Sequence, residues 1–170
     1  MKALIVSDNH GNLDSLEELI DIYQDDVDLW LHCGDSELKA ENPIWDTFAT
    51  VKGNTDFDYS LASHQEKEFG GEKILIVHGH QQRVDFTLDK LNNLAEKENA
   101  DIVFYGHTHI AKVDKVGNRY FINPGSIIEP RGELQLGSYA IYEKDEEGRF
   151  ISFYDWNHNK LPNLSKKLAE

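Results

Sequence analysis

The chain has 170 residues, 39 % of them hydrophobic and 11 % aromatic, which is enough apolar mass for one packed domain and too much for a disordered chain. Seventeen basic residues against 31 acidic ones leave a net charge of −14 at pH 7; such a field repels long nucleic acids, so an anionic substrate must be attracted locally. A single cysteine excludes an internal disulfide, and no apolar run approaches the roughly 20 residues of a membrane span or the form of a signal peptide, so a cytoplasmic location is expected.

Lys2 to Ser7 reads as a buried strand. Residues 12–23 follow as a helix, with Leu13, Leu16, Leu19, Ile20 and Tyr23 at helical spacing and Asn12 as the N-cap. Asp28 to Cys33 is the second strand and Thr47 to Lys52 the third. Glu66 to Phe69 and Glu72 to Val77 flank Gly70-Gly71 as a hairpin. A second amphipathic helix is expected over 84–98, with Val84, Leu88, Leu91 and Leu94 on one face, and Asp101 to Tyr105 forms the next strand. Short strands then alternate around turns at Gly117-Asn118 and Glu146-Glu147-Gly148. Helix-bearing strands early and hairpins late predict an α/β (α+β) fold, two mixed sheets with helices outside. One domain is expected over 1–156, with a loosely attached polar tail over 157–170.

Metal-ligand residue types fall at the ends of these strands. Asp8-Asn9-His10-Gly11 follows the first, Gly34-Asp35 the second and Gly53-Asn54 the third. His78-Gly79-His80 follows the hairpin, and Gly106-His107-Thr108-His109 the strand after the second helix. The carboxyl ends of strands that feed helices converge on one edge, so these groups are expected to meet there. Oxygen donors from Asp8, Asp35 and Asn54 with imidazoles from His10, His78, His107 and His109 suit first-row divalent metals such as manganese, iron or zinc, with nickel or cobalt as further candidates. Calcium would not call for four imidazoles, and a structural zinc site would call for cysteines. Asp35, at the end of a central strand, is the expected carboxylate shared between two cations.

The series Asp8-x-His10, Gly34-Asp35, Gly53-Asn54-x-Asp56, His78 and Gly106-His107-x-His109 resembles the signature of the calcineurin-like metallophosphoesterase superfamily. With Asn123-Pro124-Gly125-Ser126 before the closing strands, the chain is similar to that superfamily's small bacterial phosphodiesterases. The resemblance implies a four-layer α-β-β-α sandwich and two divalent ions, manganese first among them. It places Asp8, His10, Asp35 and His109 on one ion, with Asp35 shared, and Asn54, His78 and His107 on the other. Asp35, Asn54 and His107 then take part in catalysis, as a metal-bridging hydroxide attacks a small phosphodiester. Many members carry a histidine after the Gly-Asn pair as a leaving-group donor; here Thr55 stands there, which puts phosphate monoesters in doubt. The same fold also serves eukaryotes as a retromer scaffold subunit, and the alternative is a protein-interaction surface with a vestigial metal site.

Other residues carry weaker signals. His80 is balanced between a structural role and a place in the substrate pocket, while His32 and Cys33 read as core. His64 and His158 read as solvated, Arg131 as a surface cation within reach of an anion, and Trp30, Trp45 and Trp156 as packing residues.

Overall fold

The computed structural model describes residues 1–169. β1 (Lys2–Val6) leads to α1 (Leu13–Tyr23), where the Asn12 side chain accepts from the Ser15 backbone N–H at 3.0 Å, the expected cap. β2 (Leu29–His32), a 3₁₀ turn (Pro43–Asp46) and β3 (Ala49–Thr50) follow, then the hairpin of β4 (His64–Phe69) and β5 (Glu72–Val77). Gly70 and Gly71 both take positive φ at its tip, a conformation open to glycine without strain. The chain continues through α2 (Asp89–Lys97), β6 (Ile102–Tyr105), β7 (Lys112–Val116), β8 (Arg119–Asn123), β9 (Ser138–Asp145), β10 (Gly148–Asp155) and β11 (Lys166–Leu168).

Two mixed sheets result, one in the order β11-β10-β9-β1-β2-β3 and the other β4-β5-β6-β8-β7. Side-chain alternation in β1 shows how they stack. Ala3 and Ile5 face Ile74, Ile76, Ile102 and Phe104 in the core between the sheets, while Leu4 and Val6 face Leu16 and Leu19 of α1. On the far side Leu75, Val77 and Val103 pack on Leu91 and Ala95 of α2. The layers therefore run helix, sheet, sheet, helix, and burying each of Leu16 and Leu19 completely contributes about 1.5–3 kcal/mol. The parallel strands β1, β2 and β3 in one sheet, and β5, β6 and β8 in the other, direct their carboxyl ends to a common region.

Three local expectations change. The third strand shrinks to Ala49–Thr50 because Thr47 and Phe48 close the preceding 3₁₀ turn by bonding to Ile44 O. The second helix starts at Asp89, not at 84: Arg83 has φ +55° and the Val84 N–H turns back to Gly79 O, which holds the segment before it in turns. The tail over 157–169 is not loose. β11 pairs with β10, Leu168 is buried, and Ala169 O accepts from Tyr120 Oη at 3.1 Å and Arg149 Nη2 at 2.8 Å. His158 is likewise not merely solvated, since its ring bridges Tyr139 Oη at 2.9 Å and Glu18 at 3.0 Å. Among the described residues, no helix is long and apolar enough to cross a membrane.

Candidate metal centre

All seven expected ligands come from loops at the ends of strands, and the backbone of five is unusual. Asp8, His10, Asp35, His107 and His109 have φ of +55°, +41°, +55°, +70° and +59°. A left-handed backbone costs a non-glycine residue roughly 1–2 kcal/mol, and it persists only where surrounding bonds enforce it. Those bonds are present. Asp8 N–H donates to Gly34 O and His10 N–H to Asp35 O, each at 3.1 Å, which ties the loops after β1 and β2 together. Gly53 and Gly106 are required by proximity: a Cβ on Gly53 would strike the Asp35 carboxylate, and one on Gly106 would strike Ser7 Oγ and Asp8 Oδ2.

The outer contacts of the imidazoles fix where their lone pairs point. His78 Nδ1 lies 2.7 Å from Cys33 O, and His109 Nδ1 lies 2.8 Å from Glu129 O. A carbonyl only accepts, so both Nδ1 atoms are donors and Nε2 carries the lone pair in the neutral ring. His10 Nδ1 donates to Glu37 at 2.8 Å, and His107 Nε2 donates to Asp85 at 2.8 Å, with the same consequence at the opposite nitrogen. The inner nitrogens then converge. His10 Nε2 and His109 Nε2 are 3.2 Å apart, and Asp8 Oδ1 lies 3.9 Å from the first and 3.3 Å from the second. His78 Nε2 lies 3.2 Å from Asp35 Oδ2 and 3.0 Å from Asn54 Oδ1, which is also 3.0 Å from His107 Nδ1.

Two groups of candidate donors emerge, Asp8 with His10 and His109, and Asp8 with Asp35 and His78, so that both buried carboxylates lie where the two groups meet. Asn54 and His107 extend that second group through Asn54 Oδ1. This donor set fits divalent cations: opposed lone pairs repel unless a proton or a cation lies between them. Asp8 Oδ1 is also buried without a hydrogen-bond partner among the described residues.

The electrostatics agree. Burial favours a neutral Asp8, but the His109 and His78 imidazoles outweigh it and hold the carboxyl below its ordinary range. Asp35 is also pushed well below the usual range, as His78 and the Thr55 N–H (2.8 Å to Oδ1) overcome desolvation. Conversely, the pKa values of His78 and His109 are raised despite burial, by Asp35 and Asp8 for His78 and by Asp8 for His109.

The acids that orient this site carry no local sequence signal of that role. Asp56, 2 % exposed, accepts from Asp35 N at 2.9 Å, Gly53 N at 2.7 Å and Glu37 N at 2.7 Å, with Ser36 Oγ at 3.4 Å. Glu37 and Asp85 act on His10 and His107. Asp56 belongs to the Gly-Asn-x-Asp motif, but its role becomes visible only when the loops close around it. His80 has its ring 5.3 Å from His78 and 6.2 Å from His107; burial, together with the nearby charges of His78, His107 and Lys52, lowers its pKa to about 4.

Other expectations hold. His32 and Cys33 are fully buried, and Cys33 contributes its carbonyl, with a thiol that burial pushes well above its ordinary pKa. Asn123 and Ser126 are structural clamps: Asn123 Nδ2 donates to Gly106 O at 2.8 Å, and Ser126 Oγ donates to Asp8 O at 2.8 Å. Arg131 is exposed, close enough to His109 to oppose its protonation.

A sequence profile for the calcineurin-like phosphoesterase superfamily domain matches residues 1–147. The chain is similar over 169 residues, at 36 % identity and 99 % of both chains, to the probable metallophosphoesterase YsnB of Bacillus subtilis strain 168. Over 145 residues it is 30 % identical to the phosphodiesterase MJ0936 of Methanocaldococcus jannaschii, covering 74 % of this chain and 83 % of that one. A crystal structure from Streptococcus pneumoniae TIGR4, described as a predicted phosphoesterase, superposes with a TM-score of 0.94 at 37 % identity, covering 99 % of this chain and 97 % of the other. The fold and its strand-end site thus define a metallophosphoesterase sandwich. The chain belongs to the calcineurin-like phosphoesterase superfamily.

Proposed function

We propose that this chain is a dinuclear metal-dependent phosphodiesterase acting on a small phosphodiester, with Asp8, His10, Asp35, Asn54, His78, His107 and His109 as ligands. The observation that carries the reading is the convergence of imidazole lone pairs on an unpartnered Asp8 oxygen and the adjacent Asp35 carboxylate. Bound there, two divalent cations, manganese first among the candidates, supply Lewis acidity toward the phosphoryl oxygens and an activated water for direct attack at phosphorus.

The chain's own groups orient and select. Glu37 and Asp85 hold the His10 and His107 rings in their tautomers, and Asp56 fixes the loop that presents Asp35. Asn54 and His107, the more accessible members of the set, face the incoming phosphate, and the carboxamide donates to one of its oxygens. His80, largely neutral at pH 7, adds an imidazole N–H beside them. Thr55 uses its backbone N–H to bind Asp35, so no strong acid stands where a leaving group would need a proton. Diesters with good leaving groups are therefore favoured over monoesters. A net charge of −14 keeps long nucleic acids away and leaves compact anions as substrates.

The test is hydrolysis of bis-p-nitrophenyl phosphate by metal-stripped protein, with and without manganese, beside p-nitrophenyl phosphate. Manganese-dependent cleavage of the diester, lost in Asp35→Ala together with metal retention, is expected. An active, metal-loaded Asp35→Ala variant, or no turnover with manganese, nickel, cobalt, iron or zinc, overturns the proposal.

A further inference from the structure

Among the described residues, the strongly exposed large apolar side chains include three aromatics, Phe57 at 85 %, Tyr59 at 85 % and Phe86 at 75 %. The chain has 18 aromatic residues, and these three lie on just two loops, both at the candidate metal centre. The loop after β3 carries Asn54, whose Oδ1 lies 3.0 Å from His107 Nδ1, and Phe57 follows three residues later. The loop after β5 carries Asp85, which lies 2.8 Å from His107 Nε2, and Phe86 is the next residue. One imidazole is thus gripped from both sides by loops that each expose a phenyl ring. Exposed apolar side chains gathered around one polar centre are a feature of ligand-binding surfaces.

The cations nearby point to the occupant's chemistry. In an acidic protein, Arg83 lies over the Phe86 ring at 4.9 Å and Lys52 over the Tyr59 ring at 4.8 Å. Exposed aromatic rings with guanidinium and ammonium groups beside a centre that handles phosphate are the parts a stacking site for a planar, phosphate-bearing ring would need.

Resting on the phosphodiesterase reading, we infer that Phe57 and Phe86 select diesters whose non-leaving group is a planar aromatic ring, as in a nucleoside or aryl ester, over alkyl diesters. They are specificity residues and take no part in the chemical step. Both are exposed, so their removal leaves the packed core untouched.

The experiment holds the leaving group constant. The kcat/KM of manganese-loaded protein is measured for thymidine 5′-p-nitrophenyl phosphate, phenyl p-nitrophenyl phosphate and methyl p-nitrophenyl phosphate. Calorimetric binding of thymidine 5′-monophosphate and of methyl phosphate is measured alongside. The wild type is expected to favour both aromatic esters over methyl, and Phe57→Ala/Phe86→Ala to lower that ratio by about 5- to 100-fold, the range of a lost base–aromatic stack. Phe86→Tyr should retain the preference. If only the thymidine ester is favoured, the ring in question is a nucleobase; if both are, any aryl group suffices, and either result supports the inference. Equal kcat/KM for all three esters, or a preference that survives in the double alanine variant, overturns it. Failure to hydrolyse any ester while a Phe57- and Phe86-dependent preference for thymidine monophosphate persists would refute the hydrolytic reading and leave the platform standing.

Discussion

Replacing Asp56 by asparagine should loosen the whole centre without touching any of the seven candidate ligands. The two carboxylate oxygens take three backbone N–H groups, of Asp35 and Gly53 on Oδ2 and of Glu37 on Oδ1, with the Ser36 hydroxyl also on Oδ1. An asparagine offers one oxygen, so whichever way it is turned, an NH₂ group faces at least one inward-pointing N–H and a second donor. Two buried donors lose their acceptor at about 1–3 kcal/mol each, so a loss of about 2–6 kcal/mol is expected. For a chain of this size that corresponds to a fall in Tm of roughly 5–20 °C. The assay is thermal unfolding in chelator, followed by manganese titration of the folded protein. Affinity should fall as well, because the Asp35 and Glu37 backbones lose their common anchor. Asp58→Asn is the control: that half-buried carboxylate accepts from only two backbone groups, Ala40 N and Ser60 N, and its change should be smaller. A Tm within 2 °C of wild type for Asp56→Asn, or an equal effect at Asp58, would refute the argument from inward-pointing donors.

Two further outcomes concern protons. His32 Nδ1 accepts from the Gly34 N–H at 3.1 Å, and burial lowers its pKa from 6.5 to about 4. The unfolded chain therefore binds the extra proton first, and the part of the stability that depends on a neutral His32 should fall by about 3 kcal/mol as the pH drops from 6.5 to 4. Urea denaturation of chelated wild type and His32→Gln over that range measures it, and identical slopes would contradict it. His78 and His109 have the opposite sign: their raised pKa stabilises the metal-free fold at low pH, and this contribution is lost as the pH rises through the imidazole range. Cation binding must displace those protons, so manganese affinity should rise with pH and about one to two protons should be released on binding near neutrality. Calorimetry in buffers of different ionisation enthalpy counts them, and zero release would show that the two rings are already neutral.

The convergence of the seven candidate side chains is legible because each follows a strand, and strand ends of such a sheet share an edge. Asn12 as a cap and Gly70-Gly71 as a hairpin tip were legible because cap and turn chemistry is local. Periodicity starts the second helix too early because Val84 continues the apolar period of Leu88 and Leu91. Nothing in that period shows that Arg83 breaks the backbone into a left-handed turn. The packing of the tail escapes sequence reading because a three-residue edge strand with a single buried leucine, Leu168, has no periodicity to detect. Glu37, Asp56 and Asp85 remained hidden for a related reason. A lone acid in a loop looks like solvated charge until its partner, tens of residues away, is brought to it.

Five of the candidate ligands sit in a backbone conformation that glycine adopts freely and they do not. The consequence is evolutionary. Each of Asp8, His10, Asp35, His107 and His109 replaced by glycine would relieve roughly 1–2 kcal/mol of backbone strain. Such a change would also remove a charge or a lone pair from a crowded centre. A descendant no longer selected for hydrolysis would drift downhill, shedding its ligands while its two-sheet core stayed intact, and the architecture would outlive the chemistry it was shaped around.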